Sequence, residues 1–448
     1  QITDTFIYNP FGEPEDYQAS FNASSLFQQS FERDKLGRIT RKTETIQGVT
    51  RVYDYGYDLA GRLETVTVDG TLQSTYVYDA NGNRLNHITA SENTSGSHDN
   101  QDRLLSYGAN TYEYSANGEL QLKMNLDEDT VYEYDELGNL LSVDLPDGDS
   151  IEYIIDGLNR RIGKKVNGAL VQGLLYQDNL NPVAELDGAG NVVSRFIYAS
   201  KLNVPDYMIK SGVRYRIISD QLGSPRLVVN AQTGNVVQRV DYDEFGNVIS
   251  DTNPGFQPFG FAGGIADRDT GLVRFGARDY DPETGRWTAK DPIRFEGSDT
   301  NIYGYVLNNP LRWVDLTGLD ITISINGDAA LGFGLVGIGV NTPDTVGQRP
   351  QENASSAATF FGFDVPGEIS RDNTQTSSIN LPTSSDQDQK AQQCIDTRTS
   401  QQQDYNLYSN NCAQFVRQCL NAAGINTPDT IFPEILFKKL QDSVGENP

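Results

Sequence analysis

Asp291 and Asp315, with Arg278 upstream of both, are the residues of this chain best suited to breaking a peptide bond. Two carboxylates brought together in a desolvated site cannot both ionise cheaply, so they share a proton and can act as base and acid toward one amide. Arg278 would hold one of them charged or support the developing oxyanion, because a guanidinium stays protonated and can grip a carboxylate through two donors. Taken singly, an Asp before Pro, as at Asp291, or in a turn with Gly, as at Asp315, ordinarily shapes a turn. The second candidate is a thiol. Asn410 or Asn411 can cap a helix whose first turn holds Cys412, and a helix N-terminus favours a thiolate nucleophile. Phe415, Val416, Cys419, Leu420 and Ala423 follow as an apolar stripe at helical spacing, ended by Gly424. Cys419 therefore reads as core, and Cys412 as either that nucleophile or a buried structural thiol.

The chain that must position these groups is repetitive. Tyr-Asp-x-x-Gly-Arg/Asn-Leu, followed by alternating apolar and polar residues, begins at Tyr57-Asp58 and recurs at Tyr78-Asp79, Tyr114 and Tyr134-Asp135. Its turn positions, 61, 82, 102, 118, 138 and 159, fall at intervals of about 20 residues, the length of two short antiparallel strands and their turns. Each unit is thus a β-hairpin, and stacked hairpins make a spiral sheet whose neighbours cover each other's edges. Asp102 and Asn159 stand where glycine would supply a positive φ, and they are residue types that tolerate it. The recurring tyrosines predict a ring ladder from repeat to repeat, whose alternative use would be a carbohydrate surface. Strands continue with a looser period over 170–250, and the Gly- and aromatic-rich stretch 256–264 predicts a turn into a plug.

The residues 271–319 carry a family resemblance. Arg278, Tyr280, Asp281, Gly285, Arg286, Trp287, Asp291, Pro292, Tyr303, Gly304, Tyr305, Asn308, Pro310, Asp315, Gly318 and Leu319 resemble, in order, the Rhs-associated core that closes the YD-repeat shells of Rhs and Tc toxin C proteins. The motifs at 220–226 and 241–248 also resemble that shell pattern. The resemblance implies a mainly β fold: a spiral YD-repeat shell over 1–255, a core plug over 256–319 and a small α+β C-terminal effector over 320–448. It implies that Arg278, Asp291 and Asp315 are catalytic and that the chain cuts itself between Leu319 and Asp320. Leu316 stands where the family carries Pro. The implied partners are the cleaved C-terminal domain held in the shell, an immunity protein and a component of a secretion system.

Composition bounds the rest. With 61 Asp plus Glu against 35 Lys plus Arg, the net charge is −26. That balance argues against a nucleic-acid backbone or an anionic membrane as partner of the outer surface. No apolar run is long enough for a membrane helix. The start, QITDTFIYNP, shows no signal peptide and reads as mid-strand, as in a piece of a longer parent that is secreted or delivered into a target cell. No cofactor is implied. The three cysteines, Cys394, Cys412 and Cys419, lack metal-ligand spacing and lie outside the repeats, and their odd number leaves at least one free thiol.

The Asn-Cys-x-x-Phe-Val helix resembles the nucleophile helix of circularly permuted papain-like hydrolases, the group that includes NlpC-like and lecithin:retinol acyltransferase-like enzymes. In that group a Gly-His-Ala precedes the cysteine; the matching place here is Gly327-Asp328-Ala329, so Asp328 stands for the expected His. The two histidines of the chain, His87 and His98, both lie in the repeats. The polar stretch 373–387 reads as a flexible loop. A different class of function fits the same architecture: a cell-surface YD-repeat protein that displays a non-catalytic recognition domain and is never cut.

Overall fold

The computed structural model describes residues 1–9, 13–126, 128–201, 203–291, 300–316, 320–326, 335–340, 345–350, 367–372, 377–382, 385–400, 412–425 and 427. Its contacts divide the chain into two compact units: 1–7, 14–290 and 299–318 form the first, and 8–13, 291–298 and 319–448 the second.

The first unit is built on one 24-stranded antiparallel sheet, β1 (Ile2–Tyr8) through β24 (Val248–Asp251), in which each strand pairs with its neighbours in sequence. The turn chemistry explains why. In each Asp-x-x-Gly turn the Asp carboxylate accepts the backbone N–H groups two and four residues on: Asp58 takes those of Ala60 and Arg62 at 2.9 and 3.0 Å. Asp135 and Asp243 repeat the pattern with Leu137 and Asn139, and with Phe245 and Asn247. The glycine then enters the left-handed region, with φ 87° at Gly61 and 84° at Gly138, and Asp102 and Asn159 adopt it at 61° and 62°. The extra residue makes a bulge after the turn, between Gly56 and Tyr57 in the pairing register, which adds twist to the hairpin.

A sheet so twisted curls until its beginning meets its end. Ile2, Tyr17, Phe27 and Ile46 share one core cluster with Ile218, Leu227 and Val229. Glu44 grips Arg226 through two bonds of 2.7 and 3.0 Å, and Asp4 pairs with Arg216. The inner face is filled by a plug: β25 (Ile265–Ala266), β26 (Val273–Phe275), β27 (Arg278–Asp281) and β28 (Arg286–Trp287) form a small antiparallel sheet. Leu272 packs on Tyr112, Tyr132 and Tyr153, Leu311 packs with Tyr55 and Tyr76, and Phe259 packs with Phe196 and Met208.

The tyrosines link repeats, but by a different contact from the ring ladder that their spacing predicts. Tyr57 donates its hydroxyl to Ile39 O at 2.7 Å and Tyr78 to Leu63 O at 2.9 Å, one repeat back. Arg38 and Arg62 lie 4.8 and 4.9 Å from the same ring centroids. The stacked pair Tyr53–Tyr55 lies within one strand. The arginine after the turn glycine thus occupies the space that a second ring would need.

The second unit holds a five-stranded antiparallel sheet of β29 (Asp320–Asn326), β30 (Leu335–Val340), β31 (Thr345–Pro350), β32 (Gly367–Asp372) and β33 (Ser377–Pro382), ordered β32-β31-β30-β29-β33. Among the described residues two helices follow, α1 (Ser385–Ser400) and α2 (Cys412–Ala422). Of the stretch read as a flexible loop, 377–382 is instead β33, paired with β29 from Asp320↔Pro382 to Ile325↔Ser377, and 385–387 begin α1. Even an edge strand gains ladder hydrogen bonds from its one partner whatever its side chains, so polar composition misled there. Helix α2 keeps the predicted stripe: Phe415, Val416, Cys419 and Leu420 are fully buried, and Gly424 ends the helix at φ 78°. Cys419 is bonded to Cys394 of α1.

Candidate self-cleavage site

Arg278 opens β27, held by pairing with Phe275 across a two-residue turn. It is buried, its guanidinium lies 4.1 Å from the ring centroid of Trp287, and its Nη2 donates to Asp315 Oδ2 at 2.9 Å. Asp315 retains 26% side-chain exposure. Beneath the pair lies an aromatic core of Phe261, Phe275, Tyr280, Trp287 and Tyr305, all at or below 3% exposure. Burial raises the Tyr305 phenol far above its ordinary range, and the Asp315 charge adds to it, so the site has a low-dielectric floor and one acidic edge.

Of the residues that the sequence singled out, Arg278 and Asp315 are therefore in direct contact. Asp291 follows the plug as a half-buried residue and belongs by its contacts to the second unit. Leu319 lies outside the described residues, and Asp320 begins β29. Asp328 also lies outside them. Cys412 is the first residue of α2, and Cys394 and Cys419 are bridged to each other.

The strand carrying Arg278 is anchored by ions that the sequence did not reveal. Asp279, 1% exposed, accepts Arg161 Nη2 at 2.8 and 3.0 Å and Arg274 Nη1 at 2.8 Å, and Arg274 reaches Asn139 Oδ1 at 2.9 Å. Lys164 and Tyr153 hold Asp267 at 2.6 and 2.7 Å. A second anchor runs along the turn ladder, where the plug reads backbone carbonyls one repeat after another. Arg312 donates to Leu36 O at 2.8 Å, Asn309 to Gly61 O at 3.3 Å, Asn308 to Gly82 O at 2.8 Å and Tyr303 to Gly118 O at 2.8 Å, while Arg286 binds Asp102 O between them. The turns match the sequence repeat, so their carbonyls form a regular row that a non-repetitive segment can follow.

A family model described as the teneurin YD-shell matches residues 1–311. The chain belongs to the teneurin YD-shell family. Teneurin-4 of Mus musculus is 29% identical over 327 residues, covering 69% of this chain and 12% of its own length. Teneurin-1 of Gallus gallus is 30% identical over 322 residues, covering 68% and 12%. Teneurin-m of Drosophila melanogaster is 25% identical over 335 residues, covering 70% and 12%. The chain thus spans about an eighth of the length of these relatives. The fold of the YD shell is shared with the Photorhabdus luminescens Tc holotoxin pore, at a TM-score of 0.59 and 18% identity over 71% of this chain and 18% of that one. It is shared also with a TcdB2–TccC3–Cdc42 structure, at a TM-score of 0.51 and 16% identity over 71% and 18%. The YD-shell family match ends before Asp315 and covers none of the C-terminal unit beyond residue 318. Among the described residues no helix is long and apolar enough to cross a membrane, and no cluster of His, Cys, Asp and Glu is placed to hold a metal.

Proposed function

We propose that this YD shell closes on a plug that cuts the chain after Leu319 and so frees the C-terminal unit as an effector. The contact between Arg278 and Asp315 carries the reading. In this reading Asp315, held by Arg278, is the base and Asp291 is the acid. Asp315 takes a proton from water, whose oxygen adds to the Leu319 carbonyl carbon. Asp291 gives its proton to the Asp320 nitrogen as the C–N bond breaks, leaving a Leu319 carboxyl group and an Asp320 amine. The likeness to Tc toxin structures supports a container role. Within the effector, Cys412 is the nucleophile of a cysteine-hydrolase-like domain. The absence of any His from 320–448 leaves it without the usual base, so its activity is weak, and Asp328→His raises it.

A denaturing gel of freshly purified wild type, Asp291→Asn and Asp315→Asn tests the proposal. Two fragments in wild type and one full-length band in each variant support it; identical patterns in all three overturn it. On native size exclusion the cut wild type should remain one peak. The teneurin matches favour a second reading, a cell-surface YD-repeat protein with an uncut recognition domain, and that reading requires a single band throughout.

A further inference from the structure

Arg84 and Arg286 face one small cavity at the seam between the repeats and the plug, inside the first unit. It offers about 10 Å³ to a water-sized occupant, and its walls include Gly82, Arg84, His98, Tyr107, Arg286 and Asn308. Both arginines are buried, at 6% and 7% exposure. Arg84 packs against both Phe245 and Tyr76, 4.1 and 4.9 Å from their ring centroids, and Arg286 lies 5.0 Å from that of Tyr303. Gly285 makes room for this packing, since a Cβ there would run into the Arg84 guanidinium.

The hydrogen bonds of these two side chains go to neutral oxygens. Arg84 Nη1 donates to the Tyr107 hydroxyl at 3.5 Å and to Glu283 O at 3.4 Å, and Arg286 Nη2 donates to Asp102 O. Among the described residues Arg84 Nε and Nη2, Arg286 Nε and His98 Nδ1 have no hydrogen-bond partner. The nearby acceptors are already engaged: Gly82 O takes Asn308, and the Asp102 carboxylate takes Asn81 and Asn83. The Asp243 carboxylate feels the Arg84 charge, but among the described residues neither guanidinium makes an ion pair, the close partner that buried charges require.

The size and charge of the cavity select its occupant. Sulfate, phosphate and carboxylates are too large for a space of one water. A cation is excluded by the guanidiniums. Water would accept from two donors at most and would neutralise nothing. A monoatomic anion accepts N–H donors from any direction and compensates both charges. We infer that this cavity binds a single chloride ion, held by Arg84 and Arg286, which fastens the plug segments around Arg286 and Asn308 to the repeat turn that ends at Arg84. Burial, and then the Arg286 charge, push His98 down to about 4, so it stays neutral and can turn an N–H toward the ion.

Melting of the purified chain at equal ionic strength in sodium chloride, bromide and gluconate tests the inference. A halide-specific, saturable rise on the order of 2–4 °C over gluconate is expected. Crystals grown in bromide should show an anomalous peak between Arg84 and Arg286. Arg286→Gln should abolish the halide-specific rise; the bromide peak in the wild-type protein tests the site even if that variant fails to fold. Equal melting in chloride and gluconate, or a seam without anomalous signal in bromide, would mean a water site and overturn the proposal.

Discussion

Asp279→Asn should be the most damaging single charge removal in the shell. Asp279 is 1% exposed and neutralises two guanidiniums that are themselves 5% and 3% exposed. Burial, and then the adjacent Arg161 charge, already push Arg274 below the ordinary guanidinium range with Asp279 in place. Losing the carboxylate leaves two positive charges in a dry interior, which for one broken buried pair costs about 3–5 kcal/mol. At roughly 1.6 °C per kcal/mol for a unit of about 300 residues, melting should fall by about 5–8 °C. Trp287, 1% exposed in the plug, provides the fluorescence signal for urea unfolding of the same variant. The exposed pair Arg51–Asp69, at 56% and 47% exposure, is the control, and Arg51→Ala should cost less than about 1 kcal/mol. Replacing all three together, with Asp279→Leu, Arg161→Met and Arg274→Met, should recover most of the loss, since an apolar trio has no desolvation penalty. A loss below about 1 kcal/mol for Asp279→Asn would refute the claim that this triad is dry and mutually dependent.

Glycine substitutions separate strain from overlap. Gly138→Ala, at φ 84° with open space around it, should cost about 1–2 kcal/mol, whereas Gly246→Ala, at φ 92° against the Phe261 ring, should cost several kcal/mol more; equal losses in urea titrations would show that the ring gives way. Glu244, half-buried, is pushed up to about 7 by desolvation and then by the adjacent Asp243 charge, while unfolding returns it to the ordinary carboxylate range. The folded state then holds the extra proton between about pH 4.5 and 7, so stability should fall by roughly 1–3 kcal/mol as pH rises through that window. Glu244→Gln should flatten the slope, and an unchanged profile of melting against pH would exclude the assignment. In the native oxidised protein, iodoacetamide should label Cys412 and leave Cys394 and Cys419 unmodified until reduction; peptide mass mapping that finds Cys394 or Cys419 alkylated first would contradict the bridge.

What the sequence made legible was whatever is local. The Asp-x-x-Gly turns, their Asp102 and Asn159 substitutes and the apolar face of α2 each follow from a few neighbouring residues, and each is present in the structure. Arg278 beside Asp315 was reached through motif order. The readers of the turn carbonyls were not recognised, although Arg286, Tyr303 and Asn308 stood in the motif: a carbonyl carries no side-chain signature, and the partners lie across the whole shell. The Cys394–Cys419 bond was missed because Cys419 fits its apolar stripe equally well as a thiol, and only the packing of α1 on α2 brings the two together. Polar β33 was mistaken for a loop because its order comes from pairing with β29 rather than from its own residues.

Intact mass spectrometry of the purified chain under denaturing conditions tests the central claim most directly. The account predicts two masses, with the new carboxyl terminus at Leu319 and the new amino terminus at Asp320, and full-length mass alone for Asp315→Asn. A single full-length mass for the wild-type chain, or a cut at another bond that survives Asp315→Asn, would contradict it.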